Sequence, residues 1–212
     1  MVQAVIFDMD GLMIDSERIT YEIYKEELHK IHYEMNEAFY CTLLGQNKDT
    51  ICEKFLFEYG TSLPVNALWD IVHEKIDVRI LTEKPLKKGL LELLTFLKEH
   101  KYKAAVATSS TRNRVAVILE KLGIAPYMDI IVCGDEVKKS KPEPDIFLKA
   151  AENLNIVPSH CLVLEDSEFG LKAASLAGMK AICIPDMKYP KETSGAYVLE
   201  NLSSVIPIIT TL

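Results

Sequence analysis

The sequence predicts an α/β protein: a doubly wound parallel sheet with an inserted all-helical domain. Three observations carry this. Five short apolar runs recur along the chain, each flanked by segments of helical periodicity. From Asp15 to Pro85 no such run occurs, and apolar residues recur only at helical spacing. Polar residues of a few types follow directly after the apolar runs, where an open parallel sheet places its ligands.

The elements follow in order. Ala4-Val-Ile-Phe7 is a continuous apolar run, the pattern of a strand buried on both faces. Next come Ile19/Ile23, Ile51/Phe55/Tyr59 and Leu68/Val72/Ile76/Ile80, each one face of a helix. Gly45 and Gly60 read as helix ends and Pro64 as a helix start. About seventy residues are too many for a connection, so 15–85 is expected to form a helical cap domain and 1–14 with 86–212 the sheet-bearing core. In the core, Leu90, Leu91, Leu93, Leu94 and Leu97 fit one helix. Val115, Ile118, Leu119 and Leu122 fit another, stopped by Gly123. Pro144 starts a third, and Glu168 to Ala177 forms a fourth that ends at Gly178. Lys103–Ala107, Ile130–Cys133, Cys161–Leu164 and Ala181–Ile184 are the intervening strands, joined in right-handed βαβ units.

Composition excludes several classes. With 24 basic against 31 acidic residues the net charge is -7, which disfavours nucleic-acid binding. No apolar stretch approaches the ~18–20 residues that span a bilayer, and Asp8 and Asp10 interrupt any signal-peptide core. A cytoplasmic monomer without membrane or nucleic-acid partners is expected. The five cysteines show no C-x-x-C spacing and lie in apolar contexts, as buried reduced thiols would. The acidity is uneven. Residues 15–85 hold 14 acidic and 8 basic side chains, a charge of -6, and the rest of the chain only -1.

The strand ends concentrate chemistry. Asp8-Met-Asp10-Gly11 follows the first strand, Thr108-Ser109-Ser110 the second, Lys141-Pro-Glu-Pro-Asp145 the third, and Glu165-Asp166-Ser167 ends the fourth. Asp8 and Asp10, two apart on extended chain, point the same way. Adding Glu165 and Asp166 makes a carboxylate cluster that calls for a cation, and oxygen ligands of this kind suit Mg²⁺. Lys141 adds fixed positive charge, and Thr108 a hydroxyl near a helix start, a natural anion site. Together these describe a phosphate site. Asp8 can attack phosphorus as a nucleophile while Asp10 exchanges protons with the leaving oxygen and with water. An Asp-Gly turn, a helix cap at Thr108 or an ordinary Lys-Pro loop explains each motif singly, but not all four in register.

At these residues the sequence resembles the haloacid dehalogenase-like hydrolases, in the subgroup of β-phosphoglucomutases and sugar-phosphate phosphatases with a helical cap. The resemblance runs through Phe7-Asp-Met-Asp-Gly-Leu-Met-Ile-Asp-Ser-Glu17, Ala107-Thr-Ser-Ser110, Lys141-Pro-Glu-Pro-Asp145 and Glu165-Asp-Ser-Glu-Phe-Gly170. It implies a Rossmann-like core and a mobile cap. It implies Asp8 as nucleophile and Mg²⁺ ligand, and Asp10 as acid/base with its carbonyl on the metal. Thr108, Ser109 and Lys141 would hold the phosphoryl group, and Asp166 with Glu165 would complete the metal site. The substrate would be a small phosphate ester, chosen by cap residues Gly45, Gln46, Asn47 and Lys48, with Lys75 a further cap lysine for phosphate. Mutases of this kind carry His at the position of Thr20 and Arg near Lys48, so phosphatase is favoured and β-phosphoglucomutase is the alternative. The chain also has Lys87-Lys88-Gly89 where the family has Pro-Gly. A phospho-receiver domain has no place for the insert, and a nucleotide-diphosphate transferase leaves Thr108 and Lys141 without a role.

Overall fold

The computed structural model describes residues 1–212. The chain divides into two compact units, Met1–Asp15 with Pro85–Leu212, and Ser16–Lys84. Asp15 and Pro85 belong with the sheet because Asp15 N donates to Pro85 O at 2.8 Å.

The first unit is built on six parallel strands: β1 (Ala4–Phe7), β2 (Lys103–Thr108), β3 (Ile130–Cys133), β4 (Cys161–Glu165), β5 (Lys180–Cys183) and β6 (Tyr197–Val198). Their order is β3-β2-β1-β4-β5-β6. β1 and β4 are buried along their whole length, as their apolar runs require. The connections lead away in opposite directions on either side of the β1/β4 pair, so the switch point, where a crevice opens, lies between these strands. Register then levels their ends. Phe7 sits opposite Val106 on one side and Leu164 on the other, so Asp8, Ala107 and Glu165 stand level at the ends of their strands.

Helices α5 (Leu90–Glu99), α6 (Arg112–Lys121), α7 (Asp145–Leu154) and α8 (Glu168–Leu176) cover the sheet. One core joins Ala4, Ile6, Ala105 and Ala107 of the sheet to Phe147, Ala150, Ala173 and Ala174 of α7 and α8. The alternation of strand residues with period two selects that face. Pro144 stands at the N-cap of α7 and Ala177 at the C-cap of α8. β4 reaches one residue beyond its apolar run to Glu165, and β5 starts and stops one residue earlier than the apolar pattern suggests. β6 is two exposed residues in a polar loop, with no periodicity to announce it.

The second unit holds α1 (Ser16–Lys30), α2 (Glu37–Cys41), α3 (Lys48–Tyr59) and α4 (Val65–Glu83) and no strand of its own. Gly60 follows α3 and Pro64 precedes α4, whereas α2 already ends at Cys41, and Gly45 closes the turn beyond it. Tyr24, Phe39, Tyr40, Phe55 and Tyr59 form a chain of tilted, edge-on and stacked rings. α1 and α4 run antiparallel, and Arg79 joins them: it donates to Glu22 (2.7 Å), Glu26 (2.7 Å) and Glu83 (2.6 Å). Three carboxylates around one guanidinium repel each other once it is gone. Arg79→Ala should therefore lower the stability of this unit by about 1 kcal/mol at low salt. The deficit, read by urea unfolding, should shrink near 1 M salt as screening removes the repulsion.

Candidate active site

Asp8 leaves β1 with its amide on Leu164 O (3.0 Å), so its backbone is fixed by β4. The chain then curls: Met13 N donates to Met9 O and Gly11 N to Ile14 O. Gly11 takes φ +81°, and a Cβ there would lie 2.5 Å from Asp166 Oδ2. Both conformation and space demand glycine.

Lys141 supplies the central contact. Its side chain is 7% exposed, and Nζ donates to Asp8 Oδ1 (2.5 Å), Glu165 Oε1 (2.6 Å) and Ala107 O (3.1 Å). It also lies 4.9 Å from the centroid of the Phe147 ring. Burial works against its charge, but Asp8 and Glu165 outweigh it and hold the ammonium above its ordinary pKa. Asp8 is pushed up to about 7, chiefly by burial, with Lys141 opposing and Glu165 adding to the rise.

Glu165 is enclosed. Its Oε2 accepts from Asp166 N (3.0 Å), Ser167 N (3.0 Å) and Ser167 Oγ (2.9 Å), while Oε1 takes Lys141. A Cβ on Gly170 would fall 1.8 Å from Oε1, so the glycine makes room for the carboxylate. The sequence suggested Glu165 as a metal ligand. With its side chain 1% exposed and both oxygens engaged, it serves the site through Lys141 instead.

Thr108 ends β2 at 2% exposure, and its Oγ1 accepts from Ser110 N (3.2 Å). Ser109 is exposed, with its carbonyl against Gly134. Asp10 has partners that sequence reasoning missed. Arg114 grips both its oxygens (2.8 and 3.0 Å), Ser110 Oγ donates to Oδ2 (2.8 Å), and Arg114 also donates to Ser110 (2.7 Å). Ser110 and Arg114 are four residues apart, but no motif tied them to Asp10. Asp186 and Lys87 were missed as well: Lys87 Nζ lies 2.5 Å from Asp186 Oδ1.

Six carboxylates, those of Asp8, Asp10, Asp15, Glu165, Asp166 and Asp186, thus share three cations: Lys141, Arg114 and Lys87. Asp166 feels the excess most. Burial first, then Glu165, Asp8 and Asp186, raise it well above the carboxylate range. Carboxylates outnumber cations here, an excess of formal negative charge that a divalent cation would reduce. The carboxylates of Asp8 and Asp166 are oxygen donors of the hard kind that such a cation takes.

In the helical unit, Gly45 and Gln46 are exposed on the turn before α3. Asn47 caps α3, accepting from Thr50 N (2.9 Å). Lys48 Nζ is 3.8 Å from Asp70 and 5.5 Å from the centre of the Trp69 ring. Lys75 is bound to Glu27 of α1 (2.6 Å), which makes it a helix-pairing residue in this structure. No helix is long and apolar enough to cross a membrane.

Residues 5–184 match the sequence pattern of the haloacid dehalogenase-like hydrolases. A phosphorylated carbohydrates phosphatase of Thermotoga maritima is 32% identical over 184 residues, 85% of this chain and 84% of that protein. A β-phosphoglucomutase of Bacillus subtilis is 32% identical over 188 residues, covering 85% and 82%. The crystal structure of a putative β-phosphoglucomutase from Thermotoga maritima superposes with a TM-score of 0.82 at 28% identity, over the whole of both chains.

Lys141→Met leaves two buried carboxylates side by side without their cation. It should cost about 3–5 kcal/mol of stability at pH 8, measured by urea unfolding. The intact protein without a cation has its own pH signature. Asp8 holds its proton up to about pH 7 when folded and, on the ordinary value of 3.8, loses it far earlier when unfolded. Its contribution to stability is therefore full below pH 3.8 and is lost as pH rises through 7.

Proposed function

Because the chain belongs to the haloacid dehalogenase-like hydrolases, we propose that it is a phosphomonoesterase that removes phosphate from a small phosphorylated metabolite, a sugar phosphate foremost, with Mg²⁺ as its cation. The observation that carries this reading is the Asp8–Lys141–Glu165 arrangement at the crevice between β1 and β4. It fixes one carboxylate beside a buried positive charge, which is what a nucleophile facing an anionic phosphate needs.

Asp8 attacks phosphorus, and the ester P–O bond breaks with its electron pair on the leaving oxygen. Asp10, released from Arg114 and protonated as substrate binds, gives that oxygen its proton, releasing the alcohol and leaving an aspartyl-phosphate. Asp10, now a carboxylate, takes a proton from water as the water oxygen attacks phosphorus. The bond to Asp8 breaks, phosphate leaves, and both carboxyl groups return to their starting states. Lys141 keeps Asp8 in place throughout, and Thr108 with the amides after β2 supplies donors to the phosphoryl oxygens. Asp8, Asp166 and the Asp10 carbonyl would hold Mg²⁺, which when bound would neutralise charge shared by nucleophile and phosphate. Substrate choice falls to the exposed turn from Gly45 to Lys48.

Isomerisation, the alternative, would need a second phosphate to be anchored. Thr20 spends its hydroxyl on Ser16 O (2.8 Å) within α1, and Lys48 lacks the bidentate fork of an arginine. Hydrolysis is the better supported outcome. The test is to assay phosphate release and isomer formation on a panel of sugar phosphates, with Mg²⁺ or with EDTA. Release should stop in EDTA and fall by at least about 10³-fold in Asp8→Asn. Activity indifferent to both changes would overturn the reading, and bisphosphate-primed isomerisation would replace it with the mutase.

A further inference from the structure

The Lys87-Lys88-Gly89 departure acquires a role in three dimensions. Where the chain re-enters the first unit, it lies along the loop after β1: Leu86 bridges Ile14, Lys87 N donates to Met13 O (3.0 Å), and Asp15 N donates to Pro85 O (2.8 Å). This short ribbon fixes the backbone of Lys87 beside the loop that carries Asp8 and Asp10. Its side chain reaches Asp186 Oδ1 at 2.5 Å and stands 3.7 Å from Asp15. Asp186 is only 7% exposed and follows β5, whose end is tied to the site by Ile184 N on Glu165 O (2.8 Å).

The other Asp186 oxygen shares the space beside Gly11 with Asp166. A Cβ on Gly11 would lie 2.5 Å from Asp166 Oδ2 and 3.4 Å from Asp186 Oδ2. The two oxygens are therefore within about 6 Å of each other, close enough to repel strongly when both are charged. The exposed neighbour Lys88 carries the same charge in the next position but makes no such contact through its side chain. Charge at Asp186 thus adds to whatever potential draws a cation to Asp166, and charge at Lys87 subtracts from it.

We propose that Asp186 is a further acidic member of the cation site and that Lys87 is its positioning residue, the two setting cation affinity with opposite signs. This rests on the reading of Asp166 as a metal residue. Its test is direct Mg²⁺ binding by calorimetry at pH 8, with the Mg²⁺-dependent rise in Tm as a second readout. Asp186→Asn should weaken binding about three- to tenfold, and Lys87→Met should tighten it by a similar factor. The double variant should return to within about twofold of wild type. Lys87→Arg, which keeps the charge, and Lys88→Met, which removes a charge outside the cluster, should each stay near wild type.

A merely structural ion pair would move both single variants the same way, toward weaker binding. That result, or an Asp186→Asn protein that binds Mg²⁺ as wild type does, overturns the inference. Should Lys87→Met fail to fold, Asp186→Asn and Lys87→Arg decide it alone. Mg²⁺-dependent hydrolysis by wild type alongside variants that shift together would sink this inference only. A wild-type protein that binds no Mg²⁺ would sink the cation reading with it.

Discussion

One buried ammonium holds the site together. Lys141 Nζ bonds to groups at the ends of three neighbouring strands: Asp8 beyond β1, the Ala107 carbonyl of β2 and Glu165 of β4. Desolvating three charges is costly, and their mutual attraction roughly offsets that cost only while the set is complete. Completeness propagates outward. Glu165 needs donors on its second oxygen, so the turn into α8 presents two amides and a hydroxyl. The carboxylate then fills the space where a side chain at residue 170 would begin, so that position is glycine. A lysine on one loop thus dictates a glycine on a helix elsewhere in the chain.

The same arrangement leaves the site negative. Lys141 balances the equivalent of one of its two carboxylates, and Asp166 and Asp186 crowd the other side of Gly11. A stable core would not be built this way. Burial raises Asp8 and Asp166 because the folded protein resists ionising them without help. The proposed cation would relieve that resistance: free energy withheld in the absence of metal would be returned when metal binds. The acids of the helical unit behave differently. Glu22, Glu26 and Glu83 are gathered on Arg79, and Glu27 on Lys30 and Lys75. Three of these acids, Glu22, Glu26 and Glu27, join α1 to α4.

The strands and their polar ends were legible because they obey local rules. A continuous apolar run needs burial on both faces, parallel order then stacks the run ends at one level, and any group directly after a strand is delivered to the crevice. Asp8, Thr108, Glu165 and Asp166 are such groups. Arg114 is not: it lies inside α6, and its meeting with Asp10 depends on how that helix sits over the loop after β1. Asp186 and Lys87 are separated by 99 residues, and only the ribbon with Met13 and Asp15 brings them together. The commitment of Glu165 to Lys141, and of Lys75 to Glu27, is also invisible in sequence, because a carboxylate beside a strand end or a lysine on a helix reads alike whether its partner is protein or ligand. β6 escaped because it is paired on one side only, and its exposed residues needed no apolar pattern.

Asp8 and Asp10 are two residues apart, yet their partners separate their roles. Asp8 is held from below by a buried lysine, its backbone is fixed by β4, and its side chain is 11% exposed. A nucleophile benefits from that rigidity, because a near-attack geometry is lost with small displacements. Asp10 is 28% exposed and is held by a 23%-exposed arginine in the first turn of α6 and by a serine on the loop before that helix. An acid/base must visit two oxygens, the leaving group and the attacking water, so it needs a partner it can leave and return to. Water can replace the donors of a half-exposed pair, so its rupture costs far less than that of a buried one. The proposed chemistry therefore requires unequal burial of the two carboxylates. The strand end supplies it, since the first residue beyond β1 is still walled by its neighbours and the third has already turned out toward α6.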